Sequence, residues 1–209
     1  MNRREVERAV DKGVLGLLRD RGFRANRAQE VIWRGFPGGM HQVSFPVFMT
    51  AAGAEVSLVA GVRLDAVEEI VNEFTGTVEA YKAWTSSSLT RLEFFTGGHP
   101  GSWVISDLAG VDGVVSEMGS ILFERILPFM EELSTVEAFD RAMNRESVEF
   151  DITSQPSHSM IALTVARLAA NPDYERLRAS HSARLGPQFD PGLRDQFDRL
   201  VAHLDQLGP

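Results

Sequence analysis

The residues with which this chain could do chemistry are five histidines, a run of three serines and two glycine-rich loops. His41, His99, His158, His181 and His203 each stand alone, without the second histidine or carboxylate that HExxH or HxH spacing would supply. Cysteine is absent, which removes thiol nucleophiles, CxxC redox pairs and every cysteine-containing zinc site. No metal site and no cofactor are expected from these patterns, and His158 and His181 meet only if the last helices pack antiparallel. Ser86, Ser87 and Ser88 have neither a GxSxG elbow nor a Ser-xx-Lys pair, and they read as a polar loop. The loops GFPGGM (residues 35–40) and GGHPG (residues 97–101) lack the Lys-Ser/Thr of a P-loop and the strand-to-helix setting of GxGxxG, so both read as turns. His99, between glycines, could serve as an acid or base, although nothing near it in sequence would orient it.

Helices and strands must hold these residues in place. Val6, Val10, Val14, Leu17 and Leu18 follow helical spacing, predicting an opening amphipathic helix that ends near Gly22. Three runs, residues 30–36, 41–50 and 55–63, are separated by PGG and AAGA and predict an antiparallel meander, with Pro46 at an edge or bulge. Residues 65–74 return to helical period, with Asp65 as N-cap, Val67, Ile70, Val71 and Phe74 on the buried side, and Glu68, Glu69 and Glu73 on a solvated side. Residues 89–95 and 103–106 predict two more strands, and residues 107–132, 135–143, 157–170, 172–185 and 191–207 predict helices. Asn171 and Asp190, each just before a proline, are expected helix caps. The expectation is an α+β fold: an antiparallel sheet of about five strands in the N-terminal half, packed with an N-terminal helix and a helical C-terminal half. It is read as one domain, residues 1–209, with a sheet-containing half at 1–106 and a helical half at 107–209.

The glycine-aromatic-basic step Gly22, Phe23 and Arg24, the pair Trp33 and Arg34, and the later Leu127, Pro128 and Phe129 opening LPFMEELSTVEAF give the first 145 or so residues a further character. In these motifs and their order the chain resembles the bacterial domain-of-unknown-function family 4304. The resemblance implies structural motifs and carries over no catalytic residue.

Charge separates the function classes. Net charge is −8, but residues 35–151 hold eighteen acidic and six basic side chains, a net −12. That imbalance opposes nucleic-acid binding, which needs clustered lysine and arginine, and suits a basic partner. The charged N-terminus lacks the apolar core of a signal peptide, and no run of 18 uncharged apolar residues exists. No membrane association is therefore expected, and a cytoplasmic location is. Eleven of the eighteen aromatic residues fall between Phe23 and Trp103, and Trp33, Phe36, Phe48 and Trp84, near turns or on the irregular strand face, offer an aromatic contact patch beside the acids. The leading reading is a noncatalytic protein-interaction module binding through Glu68, Glu69, Glu73, Trp33 and Trp84, in its sharpest version an immunity-like protein that neutralises a basic nuclease toxin. The alternative is a small-molecule hydrolase with a site assembled from His99, Glu93 and Asp107.

Overall fold

The computed structural model describes residues 1–96, 101–145, 157–185 and 190–207. Helix α1 (Arg3–Leu18) opens with a capping box, in which the Asn2 side chain accepts from the Glu5 amide and the Glu5 carboxylate accepts from the Asn2 amide. A short 3-10 turn (Arg19–Arg21) closes at Gly22, whose φ of +82° is the left-handed value expected just past a helix end. Six strands follow: β1 (Arg24–Asn26), β2 (Val31–Phe36), β3 (Gly39–Ser44), β4 (Val47–Thr50), β5 (Gly53–Ser57) and β6 (Val59–Leu64). Then come α2 (Asp65–Phe74), α3 (Glu79–Lys82), β7 (Ser88–Arg91), α4 (Leu92–Thr96) and β8 (Ser102–Ile105). The rest is helical: α5 (Val111–Ile121), a π-helical segment (Leu122–Ile126), α6 (Leu127–Glu132), α7 (Val136–Met143), α8 (His158–Leu168), α9 (Tyr174–Arg184) and α10 (Pro191–Gln206). The expected α+β architecture is present, with its N-terminal helix, five-stranded antiparallel sheet and helical C-terminal half.

Two sheets form where one meander was expected. The five-stranded sheet has the order β1-β2-β3-β6-β7, and a three-stranded sheet has the order β4-β5-β8. The switch lies at Pro46 and Leu58, between β3 and β4 and between β5 and β6, where the Ser57 amide donates to the Pro46 carbonyl at 3.0 Å. Proline has no amide hydrogen to continue a ladder, so the predicted strand 41–50 breaks there into β3 and β4. The predicted strand 89–95 also stops early, at Arg91, and becomes α4.

The chain divides into two compact units, neither of them contiguous. Unit 1 comprises Met1–Val62 and Leu89–Glu131; unit 2 comprises Arg63–Ser88 and Glu132–Pro209. The division does not fall between residues 106 and 107: α5 and its continuation belong with the strands, and α2 belongs with the C-terminal helices. In unit 1, Val6, Val10, Val14 and Leu18 of α1 are fully buried, and α1 lies close enough to α5 that a Cβ on Gly13 would fall 2.8 Å from Val115 Cγ2. In unit 2, α8 is buried at every position from Met160 to Ala166, as a helix surrounded by others must be; α2, α7, α9 and α10 contact it. No helix among the described residues is long and apolar enough to cross a membrane.

Candidate functional site

The strand pairing of the small sheet in unit 1 sets up an exposed apolar row. Phe48 pairs with Glu55 and Glu55 with Val104, so the three side chains share one face. The alternate row, Val47 and Val56, is buried. On the outer row Phe48 is 63% exposed and Val104 56% exposed, while Glu55 sits between them with its Oε1 accepting from Ser102 Oγ at 2.7 Å. Beyond β8 the Asp107 carboxylate caps a 3-10 turn, accepting from the Ala109 and Gly110 amides, and that turn exposes Leu108. Residues 43–62 and 101–118 contain four acids, Glu55, Asp107, Asp112 and Glu117, and no lysine or arginine. Exposed phenylalanine and valine aligned across two edge strands, with charge of one sign around them, are features of a contact surface.

The residues expected to form a site are distributed differently. Glu69 and Glu73 are exposed on α2, as expected, but Glu68 is 2% exposed. The solvated-face reading of that residue is therefore corrected: α2 contacts α3, α8 and α10, and this wide buried arc takes in Glu68 and Asn72 as well as Val67 and Val71. Trp33 is half-buried on β2 opposite Arg24 and Gln42 in unit 1, whereas half-buried Trp84 belongs to unit 2. Of the alternative hydrolase trio, His99 lies outside the described residues, Glu93 is exposed on α4, and Asp107 serves as the cap just described.

The other histidines have structural partners. His41 is buried beside Arg34, whose Nη2 lies 3.0 Å from His41 Nδ1; a guanidinium can only donate, so this nitrogen accepts and the ring is neutral. Burial, and then the Arg34 charge, lower its pKa to about 4. Arg34 also pairs with Glu131 at 2.9 Å and lies 4.9 Å above the Phe23 ring. Phe23 and Arg34 thus form one clamp, and Phe129 packs against Phe94 and Phe95. In unit 2 the rings of His158 and His181 do meet, at 5.9 Å, with His181 Nδ1 3.0 Å from Ser159 Oγ. Burial first, then His158, lower the His181 pKa to about 4. Among the described residues no group of three or more histidine, aspartate or glutamate side chains could hold a metal ion.

A buried polar cluster in unit 2 has no counterpart in the sequence expectations. Arg63, its side chain 6% exposed, donates to Asp65 at 2.7 Å, to the Lys82 carbonyl at 2.7 Å and to Thr85 Oγ1 at 2.8 Å. Asn72 Nδ2 donates to the Lys82 carbonyl and Thr85 Oγ1, and Ser87 Oγ accepts from the Leu64 amide. Serines 86, 87 and 88 are all buried here, a correction to the polar-loop reading. Glu68 Oε1 lies among these groups without a hydrogen-bond partner, and burial raises the carboxyl pKa, opposed by the Thr85 and Ser87 hydroxyls and the Arg63 charge. A pocket of about 240 Å³ in the same unit is lined by Glu68, Val71, Asn72, Thr85, Leu193 and Gln196, among others, although Glu68 Oε1 itself is closed off from it. The one sequence signal was the occurrence of Glu68 and Asn72 directly after the core positions Val67 and Val71.

No known family model matches the chain, and neither a curated protein nor a solved structure shows a significant similarity to it.

Proposed function

We propose that this chain is a noncatalytic protein-interaction module that binds a basic protein through the outer face of β4-β5-β8. The observation that carries this reading is the row Phe48–Glu55–Val104, two large exposed apolar side chains on either side of a carboxylate. Apolar anchors supply the affinity of such contacts once water is excluded, and surrounding acids speed encounter with a cationic surface. The absence of any basic residue from residues 43–62 and 101–118 supports a cationic partner. A basic nuclease toxin neutralised by a bound inhibitor is the sharpest case, and a cytoplasmic location, to which the lack of cysteine is suited, accompanies it. The docking surface differs from the α2 acids of the sequence reading because Glu68 is withdrawn from solvent there.

Biolayer interferometry against a panel of cationic nuclease domains tests the proposal. At least one member is expected to bind, to lose on-rate as salt rises, and to be weakened about a hundredfold by Phe48→Ser with Val104→Ser, an anchor loss of about 3 kcal/mol. Binding by none of the panel, or binding indifferent to the double substitution, would remove the reading.

A further inference from the structure

We propose that the outer edge of β8 takes up an extended, cationic segment of the partner as a fourth strand of the small sheet in unit 1. The inference rests on the reading of the β4-β5-β8 face as a surface for a basic protein, and it names the form in which that protein docks.

The hydrogen-bond phase of the sheet identifies the edge. The Ser57 amide bonds the Pro46 carbonyl, and bonded pairs alternate along an antiparallel ladder, so Gly53, Glu55 and Ser57 direct their backbone groups to β4. Ala54 and Val56 then bond Ile105 and Trp103 of β8, which turns the amides and carbonyls of Ser102 and Val104 away from the sheet. Among the described residues no strand lies against them. Val104 is 56% exposed, and Ser106, next in the same phase, is exposed as well, so a second backbone can reach this edge. The opposite edge is closed, because its outward groups belong to Met49 and to Val47, which is 1% exposed. Lysine, proline or a bulge commonly guards such an edge, but the stretch from Gly101 to Ser106 has no charged residue and no proline, and its pairing with β5 has no bulge.

Charge selects the occupant. Glu55 leans toward Ser102, accepting from its hydroxyl, and the Glu93 carboxylate lies so close to Gly101 that a Cβ there would strike it. Asp107 follows the other end of the strand, and residues 92–118 contain no lysine or arginine. A second copy of this chain would bring the same carboxylates against these, whereas a strand with alternate arginines would pair with them. Main-chain bonds to Ser102 and Val104 supply the affinity, and the acids supply the preference for cations.

A heptapeptide alternating arginine and valine, blocked at both ends, is the probe. Fluorescence anisotropy is expected to give a Kd on the order of 100 μM at low salt, weakened about tenfold at about 0.5 M salt. N-methylation of alternate residues leaves the charges and side chains in place. Methyl groups along the peptide edge that faces β8 should weaken binding about tenfold or more, and those along the other edge less than about threefold. Hydrogen exchange should show the Val104 amide protected when the peptide is bound. Val104→Pro removes an amide hydrogen that β5 does not use, so the sheet should stay folded and peptide binding be lost. Strand addition is overturned if the peptide does not bind, if the two methylated forms behave alike, or if the Val104 amide gains no protection. A chain that sediments as a dimer and becomes monomeric on Val104→Pro would make a second copy the occupant, which also overturns it. If the peptide fails while a cationic nuclease still binds through Phe48 and Val104, strand addition alone falls; if neither binds, the reading of the face falls with it.

Discussion

Glu68→Gln should stabilise the protein, and the gain should grow with pH. The carboxyl is 2% exposed and its pKa is raised from 4.5, chiefly by burial. Above pH 4.5 the unfolded chain releases this proton while the folded chain keeps it, so folding binds a proton and stability falls as pH rises. Glutamine cannot titrate and escapes that loss. The stability difference between variant and parent should widen by up to about 1.4 kcal/mol per pH unit from about pH 5 upward, until the folded carboxyl itself ionises. With a urea dependence of about 2 kcal/mol per molar, this is a midpoint shift of about 0.7 M per pH unit. Urea titrations followed by circular dichroism at several pH values between about 5 and 8 measure it, and every other titrating group cancels between the two proteins. A difference that stays constant with pH would show that Glu68 ionises alike folded and unfolded. A parent that gains on the variant as pH rises would show that the folded chain holds Glu68 as a stabilised carboxylate, refuting a raised pKa.

His41 and His181, each lowered to about 4, act in the opposite direction: the unfolded chain takes up their protons below about pH 6.5 and the folded chain does not. Their stabilisation is complete above that pH and lost as pH falls toward 4, so His181→Gln should show a smaller loss of urea midpoint between pH 7 and 5 than the parent. Gly53 has φ +138°, and a Cβ there would lie 2.4 Å from the Ile105 carbonyl oxygen; Gly53→Ala should cost about 3 kcal/mol in denaturant titration, and a cost below about 1 would contradict that contact. Ala170 has φ +49° at the end of α8, where its amide donates to the Arg167 carbonyl and the Asn171 amide to the Ala166 carbonyl. This is the Schellman arrangement that favours glycine, so Ala170→Gly should raise stability by about 1 kcal/mol, visible as a higher melting temperature.

Local signals were legible in the sequence wherever local physics decides the outcome. Helix α1 follows from its valine spacing, and Asp190 caps α10 ahead of Pro191 as expected, its carboxylate accepting from the Leu193 amide at 3.0 Å. Asp65 is no cap, since its carboxylate is drawn to Arg63. The Arg63 that draws Asp65 away stands on the preceding strand, β6, and a capping pattern does not contain it. Asn171 Oδ1 does accept from the Asp173 amide at 2.8 Å, as a capping side chain ahead of Pro172 should, although α9 itself begins only at Tyr174, and its Nδ2 reaches Asp140 at 2.7 Å. Glu68 illustrates the larger gap. Alternating acids on a helix resemble a wetted face until helices that begin some ninety residues later cover them, and the same non-local packing groups α2 with the C-terminal helices rather than with the strands beside it in sequence. The Phe48 row was hidden for a related reason, as its third member, Val104, arrives from a strand nearly fifty residues away.

The π-helical segment between α5 and α6 makes the middle of this long helix tolerant of a change in length. Met118, Leu122, Ile126 and Met130 are buried at intervals of four, and each such step overshoots an α-helical turn by about 40°, so the stripe would wander by about 120° over three steps. One wide turn, in which the Leu127 amide reaches back to the Leu122 carbonyl, holds a surplus residue and takes back about 100° of that drift. Pro128, which has no amide hydrogen and would crowd the carbonyl four residues earlier in a regular α-helix, fixes where the wide turn falls. Glu124, exposed on the outside of the turn, is then a removable residue: a chain lacking it could run straight from α5 into α6 and lose solvent-facing chain rather than core.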